Sequence, residues 1–100
     1  MIKEMYHATD YNNLEGILTQ GIYTGIDGIV YLADSPDNAA KFVAVRLIKH
    51  IIVLKVRVPE ETMIETFDHS ESFFRCKSYG CTRNITIDEI AFDESYEYNL

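Results

Sequence analysis

The sequence predicts an α+β fold, a strand-rich core with two helices inserted early. Three observations predict it. The stretch "IIVLKVRV" (51–58) begins as a continuous apolar run and ends in strict alternation, as a partly covered strand does. Two segments, at 11–20 and from 36 onward, combine helix start signals with apolar residues at helical spacing. Short apolar runs such as "IVYLA", "TMIETF", "NITI" and "EIAF" fill the rest, without internal repeats or low-complexity stretches. One hundred residues fit a single domain, 1–100, able to bury a modest core.

Residues 2–7 read as the first strand, with Ala8, Thr9 and Asp10 as a turn. Asp10 is a good N-cap for a helix over 11–20, with Leu14, Ile17 and Leu18 on one face, and Gly21 ends it. "YTGIDG" reads as a turn or open loop, and "IVYLA" (29–33) as a short buried strand. Asp34 or Ser35 then caps a second helix, with Pro36 in its first turn and Asp37 at its positive end. Its wide apolar arc, from Ala39 through Ala40, Phe42, Val43, Ala44, Val45, Leu47 and Ile48, predicts a helix to about Lys49 packed on a sheet. In 51–58, Leu54, Val56 and Val58 point inward and Lys55 and Arg57 outward, and Pro59 ends the strand. "TMIETF" (62–67) is a further strand, "ESFFR" a weak helical turn, and "NITI" and "EIAF" closing strands broken around Asp88.

Composition narrows the function classes. Apolar residues make up 47% and charged residues 25%, which places the chain among globular proteins rather than disordered ones. The charged N-terminus lacks a signal-peptide core, and "IIVL" is far too short to span a membrane, so a cytoplasmic protein with no membrane partner is expected. Cys76 and Cys81 flank "KSYG" without the two further ligands a zinc site needs; reduced thiols are expected, with a small-loop disulfide as the alternative. The formal charge is −7, and "DEIAFDESYEYNL" holds five acids and no base, which disfavours extended nucleic acid as a partner. The bases gather in 41–58 (Lys41, Arg46, Lys49, Lys55, Arg57) and 75–83 (Arg75, Lys77, Arg83). They are either solvated faces or contacts for a small anionic ligand or an acidic partner surface.

Several residues are candidates for chemistry. His7 ends the first strand at the rim of the sheet, where a neutral imidazole can hydrogen-bond a ligand hydroxyl; the plainer alternative is a structural histidine. Thr9 either shares the helix cap with Asp10 or faces the same rim. Tyr31, in "GIVYLADS", is either a core aromatic or a platform on which a planar ring stacks, with Gly25 and Gly28 leaving room for approach. Glu89 opens "EIAF" and is either surface charge or a partly buried acid able to orient a hydroxyl or stabilise a cation; Glu71 and Glu97 compete with it. His50 precedes a buried strand and reads as structural, and His69 lies in a polar stretch. Glycine-rich phosphate loops and a GxSxG elbow are absent.

Taken together, "YHAT", a helix ending in "GI", "GIVYLADSPDNAAKF" and a late acid resemble the ADP-ribosyltransferase superfamily. They look most like its His-Tyr-Glu class, whose fold is shared with the RNA 2'-phosphotransferases. The resemblance covers residues 5–43 well and is loose beyond them. It implies a small core of two packed sheets and NAD as substrate. It also implies roles: His7 on a ribose hydroxyl, Tyr31 stacked on nicotinamide, and Glu89 as the acid that holds the 2'-hydroxyl and stabilises an oxocarbenium-like state. Ala8, where the family usually carries Gly, and Thr9 would join His7 and Tyr31 in binding the cofactor, with the Ala8 methyl intruding. The implied function is transfer of ADP-ribose from NAD to a protein or nucleic-acid acceptor. The alternatives are a catalytically degenerate member, and an RNA 2'-phosphotransferase relying on Arg75 and Arg83. The degenerate member would act as a nucleotide-binding or partner-binding inhibitor of phage or mobile-element type, with a basic-surfaced protein as its partner.

Overall fold

The computed structural model describes residues 1–66 and 78–100. The expected helical turn "ESFFR", and with it Glu71, His69, Arg75, Cys76 and Lys77, lies outside the described residues. Among those described, the fold is α+β with two three-stranded antiparallel sheets and two α-helices.

The first sheet has the order β1 (Ile2–Asp10), β3 (His50–Pro59), β6 (Ile90–Asn99). The second has the order β2 (Val30–Leu32), β5 (Ser78–Cys81), β4 (Met63–Thr66). β3 is the central strand, and its pattern follows from what covers each face. Ile52, Leu54, Val56 and Val58 face the second sheet and join Val30, Leu32, Cys81 and Ile85 in one core cluster. Ile51 and Val53 face the other way, under Ala39, Ala40, Phe42 and Val43 of α2 (Pro36–Ala44). Beyond the helix that second face opens, and there Lys55 and Arg57 pair with Glu4 and Glu94. A continuous apolar run therefore becomes an alternating one where α2 stops covering the sheet.

β1 continues to Asp10 rather than turning after His7. Ala8, Thr9 and Asp10 stay in register with Val53, Ile52 and Ile51, so the apolar half of β3 holds them extended. The turn comes later, as a 3-10 turn at Tyr11–Asn13 whose Asn12 N–H donates to Asp10 Oδ1 at 3.0 Å. Asp10 thus caps this turn, and α1 (Leu14–Gln20) follows it. On α1, Ile17 is buried and Leu14 packs against the core, but Leu18 is exposed.

α2 starts as its signals indicate: Ser35 accepts from the Asn38 N–H at 3.2 Å, and Pro36 opens the helix. Tyr98 on β6 donates its hydroxyl to Asp37 at 2.6 Å, tying the first turn to the sheet; burial and this bond push the phenol up to about 12. The helix ends at Ala44, five residues before Lys49. Leu47 takes φ 65° in the following turn, and Val45 and Leu47 are exposed. The chain must reverse here to enter β3, so the apolar arc outlasts the helix.

The 85–89 segment packs against the end of α1. Ile22 and Ile85 exchange backbone hydrogen bonds at 2.9 and 2.8 Å, and Asn84 accepts from the Thr24 N–H at 2.9 Å. Gly21 makes this approach possible: it has φ 79°, and a Cβ there would lie 2.4 Å from the Ile85 carbonyl oxygen. Gly21→Ala is expected to destabilise the fold by about 2 kcal/mol, combining strain with a backbone clash. Urea unfolding would read this as a lower midpoint with unchanged slope, and an unaltered midpoint would contradict the close approach.

Candidate functional site

β1 and β2 touch at one backbone pair. The Tyr6 N–H donates to Ala33 C=O at 2.9 Å and the Ala33 N–H to Tyr6 C=O at 2.8 Å. Were this antiparallel ladder to continue, its next hydrogen-bonded pair would be Ala8 with Tyr31. The His7 side chain intervenes instead: Nδ1 lies 2.9 Å from the Tyr31 carbonyl oxygen. A carbonyl only accepts, so Nδ1 carries the proton and, in the neutral ring, Nε2 is the acceptor. Burial lowers the His7 pKa and the Tyr31 bond offsets that only in part, so the ring is neutral at neutral pH.

Two hollows open where the strands part. The first, about 230 Å³, lies between the outer edge of β1 and α2, with Tyr6, Ala8, Thr9, Phe42 and Val43 among its walls. The second, about 540 Å³ and shallower, lies beneath the loop that carries Tyr23, Ile26 and Ile29. His7, Tyr31 and Arg46 line both.

The structure brings four of the sequence-identified residues together: His7, Ala8, Thr9 and Tyr31. The Thr9 hydroxyl accepts from Asn13 Nδ2 at 2.8 Å and still borders the first hollow. Tyr31 donates its hydroxyl to Asp27 Oδ2, which fixes the ring between the hollows; that bond, chiefly, lowers the Asp27 carboxyl below its usual range. The Ala8 side chain packs against the cluster beneath α2, perpendicular to the strand's edge groups, and borders the first hollow together with Phe42 and Val43 of that cluster. By the alternation that aims the Tyr6 N–H and C=O at Ala33, the Ala8 N–H and C=O also point away from β3, toward the first hollow.

Glu89 does not line either hollow. It belongs to a 3-10 turn at Ile87–Glu89, where it forms a capping box with Thr86. Arg83 donates to its two carboxylate oxygens at 2.8 and 2.7 Å, and the Thr86 N–H donates at 3.1 Å. The Arg83 bonds above all hold its pKa down at about 2. Glu97 also lies outside both hollows: its carboxylate is 2.6 Å from His50 Nε2, and the His50 ring stacks on Tyr11 at 4.1 Å.

Two contributors escaped sequence reading: Asp27 was assigned to a turn, and Arg46 was one base among several. Only Arg46 had a signal, as a member of a basic cluster suited to a small anion. Lys55, Arg57 and Arg83 of the same clusters are engaged by acids, whereas Arg46 makes no ion pair among the described residues.

No protein-family model matches the chain, and no curated protein matches its sequence. No described helix is long and apolar enough to cross a membrane.

Two measurements check this geometry. Long-range 1H–15N NMR is expected to show His7 as the Nδ1–H tautomer, and an Nε2–H ring would contradict the Tyr31 bond. The second concerns Glu89, whose carboxyl is lowered from 4.5 to about 2 by folding. Its stabilising contribution is therefore present above pH 4.5 and lost as pH falls toward about 2. Glu89→Gln is expected to weaken the fold at neutral pH and to flatten the acid limb of its stability profile. An acid limb identical in both proteins would show the ion pair to be inconsequential.

Proposed function

We propose that the protein is a small ADP-ribosyltransferase-like domain whose cleft binds an NAD-type nucleotide, and that it acts by holding this ligand rather than turning it over. One observation carries the reading: the His7 side chain replaces the backbone donor that would have zipped β1 to β2. The Ala8 N–H and C=O are left on an open strand edge beside Tyr31. A primary carboxamide such as that of nicotinamide offers the matching acceptor and donor in one plane. The Tyr31 ring gives the attached heterocycle a face to lie on, held in place by Asp27. Neutral His7, with Nε2 as an acceptor, suits a sugar hydroxyl.

Turnover is the second reading, favoured by the presence of both His7 and Tyr31 at one cleft. It needs a carboxylate near the sugar to stabilise developing positive charge. The acid named for this by resemblance, Glu89, is instead held by Arg83 and Thr86, which is why binding without transfer is preferred. The RNA 2'-phosphotransferase alternative draws less support, because Arg83 is committed to Glu89.

Calorimetric titration with NAD, together with an assay for nicotinamide release, tests the proposal. Saturable binding without release is expected. His7→Ala should weaken it by about tenfold, the loss of roughly one well-made hydrogen bond in a closed site. No binding of NAD or nicotinamide would end the reading. Nicotinamide release that disappears in Glu89→Gln would replace it with the transferase.

A further inference from the structure

β6 is an outer strand of the first sheet: β3 lies on one side of it, and no other strand pairs with it among the described residues. The geometry of its free edge follows from its bonds to β3. The Leu100 N–H donates to Lys49 C=O at 2.8 Å. Bonded pairs recur at every second residue of an antiparallel ladder, so Ile51 with Tyr98 and Val53 with Tyr96 are the next. The β1 side of the sheet agrees. The Ala8 edge groups point away from Val53, so Val53 turns its own N–H and C=O toward β6. The Glu97 and Asn99 N–H and C=O groups therefore point outward, and they have no hydrogen-bond partner among the described residues.

Proteins blunt such an edge with a bulge, a lysine or a proline. β6 has a bulge, where residues 92–95 stand opposite Leu54. Beyond it, 96–99 runs in register with 50–53 and contains neither lysine nor proline. The edge carries acids instead. Glu94 is matched by Lys55 and Arg57, but exposed Glu97 meets only His50, and exposed Asp93 makes no ion pair, among the described residues. A second copy pairing through this strand would set acids against acids, which is destabilising. The two faces beside the edge also differ. Tyr96 and Tyr98 lie on the face that carries α2, and the exposed Tyr96 ring meets Tyr6 edge to face at 6.2 Å. Glu97 and Asn99 alternate onto the opposite face.

We infer that the β6 edge is a docking strand for an extended segment of another protein, which pairs antiparallel with it and alternates apolar residues with Lys or Arg. Main-chain bonds at Glu97 and Asn99 hold the segment, its apolar side chains lie beside Tyr96 and Tyr98, and a base faces Glu97. β1 and β6 are the two outer strands, so this edge lies across the sheet from the cleft. Neither Glu97 nor Asn99 lines a hollow, and the inference is independent of the nucleotide reading.

Amide hydrogen exchange followed by 15N NMR on the full chain tests it, with a capped peptide of about eight residues alternating valine and arginine as the probe. In the free protein the Tyr96 and Tyr98 amides are expected to exchange slowly and those of Glu97 and Asn99 fast. The peptide should slow the latter two. A residue opposite Glu97 shares its face and its bonded pairing, so the arginines supply the donors. N-methylating the arginines keeps their charge and should weaken binding about tenfold, whereas N-methylating the valines should leave it unchanged. Glu97→Gln should weaken binding about threefold, the scale of one exposed ion pair. A peptide alternating valine and glutamate should not bind. Unchanged exchange at Glu97 and Asn99 with the peptide present, equal loss from either methylation pattern, or equal binding of the glutamate peptide would overturn the inference. Slow exchange of both amides in the free protein would overturn it as well, since the edge would already be covered, by a second copy if the chain sediments as a dimer.

Discussion

The short pairing of Tyr6 with Ala33 joins the two sheets on this side of the molecule and is also where they begin to part. A backbone ladder that continued would close the region between β1 and β2 and satisfy every donor in it. His7 prevents this at low cost, because its ring nitrogen gives the Tyr31 carbonyl the hydrogen bond that the Ala8 N–H would have supplied. The unmet groups are shifted to Ala8, at the mouth of a hollow where a ligand or water can reach them. One side chain thus keeps the strands apart, fixes its own tautomer and leaves an amide edge open. Removing it would change the shape of the cleft as well as its chemistry.

The wall opposite this edge depends on β3. Because β3 is central and apolar on both faces over Ile51–Leu54, it can carry the second sheet below and α2 above. Phe42 and Val43 on that helix reach the first hollow, and the turn after Ala44 delivers Arg46 to its rim. Tyr98 anchors the start of the same helix through Asp37. The cleft is therefore held by elements from both ends of the chain, with 2–10 and 90–99 flanking 50–59 in one sheet.

How much of this could be read in the sequence depended on whether the deciding interaction was local. The switch from continuous to alternating apolar residues in 51–58 records burial directly, and the strand and its inward residues follow from it. Ser35–Pro36 and Gly21 are local signals and mark helix ends correctly. The end of α2 was not legible, since Val45 and Leu47 extend the apolar pattern while the chain is already turning. The true extent of β1 was hidden likewise, because pairing with Ile51–Val53 overrides the turn-like composition of Ala-Thr-Asp. His7, Thr9 and Tyr31, named as candidates through their order and context, line one hollow. Glu89 shows the limit of that method. An acid at the head of a strand reads the same whether it faces a ligand or an arginine six residues upstream, and only the fold reveals Arg83.

The distribution of charge bears on what the cleft can do. Stabilising a sugar cation calls for a carboxylate with oxygens free to face it, in a site where water does not screen the interaction. The two described acids that line the hollows, and Glu89 outside them, are engaged in other bonds. Asp10 is turned into its cap, Asp27 is bonded to Tyr31 and Ile29, and Glu89 accepts from Arg83 and Thr86. The neutral donors and acceptors are the groups that remain available: the Ala8 edge and His7 Nε2, with Arg46 as the one cation among the described lining residues. That set matches a ligand's ground state, a neutral ring amide, a hydroxyl and an anion, better than it matches a transition state rich in positive charge. By the principle that only interactions stronger in the transition state accelerate a reaction, this distribution of charge supports the proposed holding role over the transfer reading.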